Sequence, residues 1–379
     1  MSKRYSAREI FTFLFENSLL LMIGAVAGLT WANVSLESYG KATHALEFIV
    51  NDVGMVFFFG LAAKEVYEAM LPGGPLSSPR EGAVPVFAAV GGMAAPASIY
   101  LAAIWFLGRP DLHSGWAIPC ATDIAFSYLV SRAIFKPGHP AIPFLLLLAI
   151  ADDALGLIVL AIFYPSGAVS IQLLMGLLLP GIALAWALRF FGVGNFWAYV
   201  FGPGLLAWLG LFYGGLHPAL ALVPIIPLMP HDKYDLRVFG RTELVKLKTL
   251  HHFETWWKIP VQFILLAFGF VNAGVPLSSV GPISWIVLVS LVVGKPIGIV
   301  ATTMIAERAG FRRAAGLDYR SLVTLGVAAG IGFTVALFFT TAAFPPGAIQ
   351  SQAKMGALFS FFGGGLAIVV GRALGLKNK

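Results

Sequence analysis

The segment that decides the fold reads Ala141-Ile-Pro-Phe-Leu-Leu-Leu-Leu-Ala-Ile-Ala-Asp152-Asp153-Ala-Leu-Gly-Leu-Ile-Val-Leu-Ala-Ile-Phe163. Its length suits a helix that crosses a membrane, which needs about 20 mostly apolar residues. Two adjacent aspartates nevertheless lie near its centre, where each charged side chain costs roughly 2.5–3.5 kcal/mol. The segment therefore predicts a membrane protein whose buried carboxylates are functional.

The composition of the whole chain points the same way. Of its 379 residues 58% are hydrophobic and 11% are charged, whereas a soluble domain has about 25% charged residues. This excludes a soluble enzyme, a disordered protein and a nucleic-acid-binding domain, so the net charge of +7 needs a membrane explanation. The single cysteine, Cys120, excludes an intrachain disulfide and a cysteine-based metal cluster.

Apolar stretches and their Gly and Pro breaks predict twelve transmembrane helices, at about 11–31, 48–70, 83–107, 116–134, 140–163, 168–189, 195–211, 214–229, 254–273, 283–304, 321–343 and 352–373. The stretch between the first two is predicted as a loop. This arrangement places 20 Lys and Arg residues on one side and 3 on the other. Because cytoplasmic loops collect positive charge, we expect a multi-pass membrane protein with both termini in the cytoplasm.

Of the other ionisable residues in predicted helices, Asp52, Asp123 and Lys295 stand out because apolar residues surround them. Structural ion pairs between helices are one explanation, and an ion or proton pathway is the other. Asp152 and Asp153 point about 100° apart on a helix, yet each disfavours ionisation of the other. Such a pair can hold a proton or a hard cation. A buried Lys295 must pair with a carboxylate or lose its proton.

Two helices carry signs of a break. One reads Trp116-Ala-Ile-Pro-Cys-Ala-Thr-Asp123-Ile-Ala-Phe, and the other reads Ala328-Ala-Gly-Ile-Gly-Phe-Thr334. Paired broken helices in two halves of a chain indicate a transporter's binding site, although the glycines alone could serve close helix packing. The breaks suggest inverted core repeats at about 83–164 and 283–373, with the remaining helices forming an interface or panel part.

These two runs, together with Ala149-Ile-Ala-Asp-Asp153, Gly294-Lys-Pro-Ile-Gly298 and Val271-Asn-Ala-Gly-Val275, resemble the NhaA family of sodium/proton antiporters. The resemblance extends from about Asn51 to the C-terminus. It implies an all-α polytopic membrane protein, a single transporter domain over 1–379, with twelve transmembrane helices, inverted repeats and two crossed broken helices.

The resemblance also implies roles for individual residues. Asp152 and Asp153 match the family's ion-binding pair for Na⁺ or Li⁺, and Lys295 matches the lysine that forms a salt bridge with one of them, here Asp152. Asp123 and Thr122 match polar residues of the ion site that balance the broken-helix ends. Asp52 matches an aspartate of the ion pathway.

The implied function is electrogenic exchange of cytoplasmic Na⁺ or Li⁺ for external H⁺, serving pH and sodium homeostasis. We therefore expect no enzymatic activity and no cofactor. The expected partners are membrane lipid, sodium ions and protons, with a homodimer left open and no nucleic acid. The alternatives are a sodium-coupled symporter of an organic anion on the same fold, an intramembrane aspartyl protease and a channel.

Overall fold

The computed structural model describes residues 19–231 and 249–376, and within those ranges it is α-helical without any β-strand. In chain order its α-helices are α1 (Leu19–Val34), α2 (Leu36–Phe48), α3 (Met55–Met70), α4 (Pro79–Phe106), α5 (Ile124–Ile134), α6 (Ala141–Phe163), α7 (Ile171–Phe190), α8 (Phe196–Tyr199), α9 (Leu205–Gly214), α10 (Thr249–Ala273), α11 (Pro282–Val289), α12 (Lys295–Arg308), α13 (Tyr319–Ala329), α14 (Phe333–Ala343), α15 (Ala348–Phe359) and α16 (Gly363–Ala373). Short π-helical segments join α2 to α3, α8 to α9 and α11 to α12.

Eight helices of the described residues are long and apolar enough to cross a membrane, and the bent pair α13–α14 makes up to nine. The expectation of an all-α polytopic membrane protein is thereby confirmed. The number twelve stays a prediction, because α1 and α5 are apolar but shorter than a full span. The beginning of the first predicted helix and most of the polar loop at 231–253 lie outside the described residues.

The predicted helix at 214–229 is wrong. This segment contains only the short 3-10 turns Pro218–Leu220 and Ile226–Leu228. Pro218, Pro224 and Pro227 supply no backbone amide hydrogen and interrupt the helical hydrogen-bond ladder. High hydropathy indicated a span, but the spacing of the prolines prevents an α-helix.

The predicted loop before residue 48 is also wrong, because α2 occupies it and continues into α3 as one 35-residue helix, Leu36–Met70. Its polar residues are spaced for a helix. Glu37 and Lys41, four residues apart, form an ion pair at 2.6 Å. Such pairs stabilise an exposed helix by a few tenths of a kcal/mol, about 0.2–0.5.

The chain forms two compact units. The first contains Met1–Leu46, Ser78–Gly156 and Leu265–Lys379, and the second contains Glu47–Ser77 and Leu157–Ile264. All residues predicted for the ion site except Asp52 belong to the first unit.

Close backbone packing between α4 and α12 organises the first unit. A Cβ on Gly298 would lie 1.9 Å from the carbonyl oxygen of Gly91, and one on Gly294 would lie 2.6 Å from Cα of Pro96. Small residues allow membrane helices to approach this closely. The contact brings Lys295, the first residue of α12, against the interior of the unit.

In the second unit, α9 packs on α7 through glycine in the same manner. A Cβ on Gly210 would lie 3.0 Å from the amide nitrogen of Leu178. The buried Lys64 of α3 contacts Glu68 at 2.7 Å and Glu254 of α10 at 2.6 Å. This ion cluster ties α3 to α10 within the unit.

Candidate ion-binding site

The first helix break, a short non-helical stretch, lies between the 3-10 helix Pro110–Cys120 and α5. Pro119 supplies no amide hydrogen, and residues 121–123 belong to neither helix. The break leaves carbonyl groups at the end of one segment and amide groups at the start of the next without intrahelical partners. Asp123 caps the amide end, since its Oδ1 accepts a hydrogen bond from the amide of Phe126 at 3.4 Å.

The second break separates α13 from α14 at residues 330–332, where the helix axis bends by 50°. It contacts the first break directly. The amide of Asp123 donates to the carbonyl of Ile331 at 2.7 Å. The hydroxyl of Ser127 donates to the carbonyl of Ala328 at 2.9 Å. Each break therefore satisfies backbone groups that the other leaves open.

Asp123 serves both breaks at once. Besides the amide of Phe126, its carboxylate accepts hydrogen bonds from Thr334, through the backbone amide at 3.3 Å and through the hydroxyl. The negative charge thus lies at the amide ends of both α5 and α14, the ends that carry the positive part of the helix dipole. This arrangement is electrostatically favourable for a buried carboxylate.

Lys295 lies at the opposite, carbonyl end of the first break. Its Nζ donates to the carbonyl of Cys120 at 2.5 Å, to the hydroxyl of Thr122 at 2.7 Å and to Oδ2 of Asp152 at 2.7 Å. The three acceptors satisfy all three N–H donors of an ammonium group. A positive charge near helix carbonyls is stabilised by the dipole, so Lys295 complements Asp123 across the break.

The two aspartates of α6 have different surroundings. Asp152 is 3% exposed and pairs with Lys295. Its Oδ1 is buried, and no described residue forms a hydrogen bond with it. Asp153, the next residue, is half-buried. A carboxylate oxygen with free lone pairs beside a second carboxylate can accept a proton or bind a hard cation.

Asp52 lies in the second unit, in the π-helical segment Ile49–Gly54 between α2 and α3. Its backbone carbonyl accepts a hydrogen bond from the indole of Trp208 at 2.8 Å. Asp52 is therefore described within the second unit alone. Its role in an ion pathway stays a prediction, as do the roles of the other five.

The sequence analysis missed Thr334 and the carbonyl of Cys120 as members of the site. Thr334 follows the second break directly, and a hydroxyl at the start of a helix is a common partner for exposed polar groups, so its position was a usable signal. A backbone carbonyl carries no signal in the residue types. Only the fold shows that Cys120 contributes one.

Comparison with known proteins agrees with this architecture. Residues 9–373 match the model of the family described as Na⁺/H⁺ antiporter 1. The chain is 43% identical to a protein of Pelobacter propionicus named Na⁺/H⁺ antiporter NhaA 2, over 96% of this chain and 97% of that protein. It is also 43% identical to the Na⁺/H⁺ antiporter NhaA of Geobacter sulfurreducens, over 98% of this chain and 99% of that protein.

A third relative, the Na⁺/H⁺ antiporter NhaA of Desulfitobacterium hafniense, is 41% identical over 98% of this chain and 97% of its own length. These similarities extend over nearly the whole of each chain and confirm the resemblance inferred from the motifs. The chain is therefore a polytopic integral membrane protein that belongs to the NhaA family of Na⁺/H⁺ antiporters.

Proposed function

We propose that this protein is a secondary antiporter that exchanges Na⁺ for H⁺ at Asp152 and Asp153. One observation carries the proposal: Asp152 is buried against Lys295 with its second oxygen unbonded among the described residues, beside another carboxylate. Family membership supports the same activity. An isolated charge pair that only tied helices together would not need the second acid.

Exchange follows from competition for oxygen atoms. When the carboxylates are ionised, Na⁺ from the cytoplasm binds Asp153 and the free oxygen of Asp152. Protons from the outside then displace it, because a protonated carboxyl group no longer attracts a cation. Li⁺ has the same charge and the same preference for oxygen ligands, so we propose that it is transported too.

Lys295 sets the charge that moves in each cycle. When Na⁺ binds next to Asp152, the ammonium loses part of its counter-charge, and a buried lysine can then release its proton. If Lys295 and Asp153 each release a proton for one Na⁺, the exchange is electrogenic. Thr122 supports this step through its contact with Lys295, and Asp123 supports it by holding the two helix breaks together.

The placement in the cell is part of the proposal. Family membership favours the inner membrane, and the excess of Lys and Arg on one predicted side favours both termini in the cytoplasm. We propose that the inverted repeats at about 83–164 and 283–373 form the core that carries the site, and that the other helices form a panel. Neither a cofactor nor an enzymatic step is needed. The anion-symport alternative has no support at a site that offers carboxylates, because an anion needs hydrogen-bond donors.

The experiment uses everted membrane vesicles from a host without its own Na⁺/H⁺ antiporters. The vesicles are acidified, Na⁺, Li⁺ or K⁺ is added in turn, and a pH-sensitive dye follows proton release from neutral to alkaline pH. Asp153→Asn should abolish the response. Asp111→Asn is the matched control, because Asp111 is half-exposed in an ion pair with Arg109 away from the breaks.

The cation-dependent response should persist in Asp111→Asn at the wild-type rate. A wild-type rate in Asp153→Asn would overturn the proposed site, and no response from correctly inserted wild-type protein would overturn antiport. A membrane-potential dye in the same vesicles tests electrogenicity. Lys295→Gln should change the charge moved per Na⁺, and an unchanged value would remove Lys295 from that role.

A further inference from the structure

A basic groove lies where α12 ends and α13 begins, apart from the ion site. It has a volume of about 380 Å³ and is lined by Glu307, Phe311, Arg312, Arg313, Ala314, Gly316 and Leu317. Because α12 is part of the span Pro282–Arg308 and α13 begins the bent pair, the groove lies just beyond the ends of two membrane-spanning segments. This is the level at which lipid headgroups are found.

One wall of the groove is fixed by Arg313. Its guanidinium contacts Glu307 and lies over the ring of Tyr319, 4.0 Å from the ring centroid. Tyr319 in turn donates a hydrogen bond to Glu307. The Nη1 atom of Arg313 is buried and has no acceptor among the described residues. These contacts fix the position of Arg313. Its Nη1 donor remains available, because the ion pair with Glu307 is made through the Nε of the guanidinium.

Arg312 forms the second basic element, and it is exposed. Among residues 19–231 and 249–376, no carboxylate forms an ion pair with it, nor with Arg308 or Arg320 on either side. The nearby Asp318 caps α13 by accepting from the amide of Ser321 at 2.7 Å. Positive charge therefore exceeds negative charge around the groove.

Two apolar side chains, Phe311 and Leu317, form part of the groove lining. Phe311 packs against Phe87 of α4, with ring centroids 5.9 Å apart, and Leu317 is 4% exposed in the same hydrophobic cluster. A site for a free anion needs no apolar side chains, whereas the glycerol and the first acyl carbons of a phospholipid would cover this part of the lining. Guanidinium groups bind phosphate oxygens in pairs of hydrogen bonds.

We infer that this groove binds the phosphate group of an anionic phospholipid, with Arg312 and Arg313 as donors and Phe311 and Leu317 against the glycerol. Basic residues next to a membrane surface attract anionic lipids. Positive loop charge alone would give only diffuse attraction. The ordered Arg313 and the concave shape make a defined site, and this inference is independent of the transported ion.

The test measures the melting temperature of the purified full-length protein in detergent. Phosphatidylglycerol, phosphatidylcholine and inorganic phosphate are added separately at equal phosphate concentration. A ligand that binds only the folded state raises the melting temperature. Phosphatidylglycerol should raise it most. An equal rise with phosphatidylcholine, or with inorganic phosphate alone, would overturn the assignment to an anionic lipid.

Two variants locate the site. Arg312→Gln removes the unpaired charge, and Ala314→Trp fills the groove while all charges stay. Each should leave the melting temperature without lipid unchanged and reduce the rise with phosphatidylglycerol by about half or more. Arg109→Gln is the matched control, since it removes an arginine that is paired with Asp111 in another loop.

Arg109→Gln should keep the full rise. A full rise in both Arg312→Gln and Ala314→Trp, or an equal loss in Arg109→Gln, would show that the effect is general charge attraction and not this groove. Should Ala314→Trp itself lower the melting temperature, Arg312→Lys decides. A lysine restores the charge without the paired hydrogen bonds, so only part of the rise should return.

Discussion

The ammonium of Lys295 lies 2.7 Å from Oδ2 of Asp152, and the exposed fractions of the two side chains are 0% and 1%. Because neither side chain is exposed, solvent screens the two charges little. The remaining two donors of Lys295 are taken by Thr122 and the carbonyl of Cys120. The pair therefore connects α6 to the first helix break as well as to α12. A substitution at either residue should affect both contacts.

Removing only Lys295 or only Asp152 should destabilise the protein more than removing both charges. Lys295→Ala leaves a buried carboxylate without counter-charge, which costs roughly 3–5 kcal/mol of stability. The double variant Lys295→Ala with Asp152→Asn leaves no buried charge at this position. A double-mutant cycle on melting temperature in detergent should give a large favourable coupling between Lys295 and Asp152. Additive effects of the two substitutions would contradict a buried pair of this kind.

Thr334 should stabilise the two breaks through its hydroxyl. Thr334→Val has nearly the same shape but leaves the buried Oδ2 of Asp123 with one donor fewer, which costs about 1–3 kcal/mol. Thr334→Ser keeps the hydroxyl and should restore most of the melting temperature.

The matched control for Thr334 is Thr341→Val on the same helix. The hydroxyl of Thr341 donates to the carbonyl of Phe338 within α14 at 2.8 Å, so its loss affects no contact between the breaks. A loss of melting temperature in Thr341→Val as large as in Thr334→Val would mean that the contact with Asp123 has no special weight.

Gly298→Ala should disrupt the approach of α4 to α12. The new Cβ would lie 1.9 Å from the carbonyl oxygen of Gly91, and neither backbone can yield as a side chain could. The two helices must separate, and this moves Lys295, which lies one helical turn from Gly298. Both the melting temperature and Na⁺-dependent proton release should therefore fall.

Gly365→Ala on α16 is the control for Gly298→Ala, since nothing lies within 4 Å of the added Cβ. There the substitution should be neutral or stabilising by up to about 1 kcal/mol, because alanine favours a helix. Equal losses in the two variants, measured by melting temperature and by transport in the same vesicles, would contradict the packing argument.

The sequence was informative wherever a residue type was out of place. Aspartates in an apolar run and a proline before Thr122 predicted the buried charges and the first break. Hydropathy failed where backbone chemistry decides. The high hydropathy of the segment after Gly214 predicted a helix, but three prolines interrupt it. The charged residues of α2 predicted a loop, but the segment is helical.

Contacts between distant parts of the chain were beyond the sequence. Lys295 is 175 positions from Cys120, and Thr334 is 211 positions from Asp123. No local pattern encodes a hydrogen bond to a backbone carbonyl across that separation. The family resemblance suggested that the two breaks meet, but the structure was needed to show that one carboxylate caps both half-helices.

The last prediction concerns His139, just before α6. Its Nδ1 accepts a hydrogen bond from the amide of Ala141 at 3.2 Å, and its ring stacks on Phe135 with centroids 4.8 Å apart. An accepting Nδ1 must be unprotonated. Burial lowers the pKa of His139 below its ordinary value of 6.5, although the charge of Asp318 opposes this shift.

The sign follows from proton binding. Between the lowered pKa and 6.5 the unfolded chain binds more protons at this residue than the folded protein does, so stability decreases as the pH falls through this window and levels off below it. His139→Asn keeps an oxygen that can accept from the amide of Ala141 but cannot titrate. The melting temperature of the wild type should therefore fall relative to His139→Asn as the pH is lowered from neutral. Parallel pH profiles for the two proteins would show that His139 is not the titrating group. A constant difference in melting temperature would then report only the strength of the hydrogen bond from the amide of Ala141.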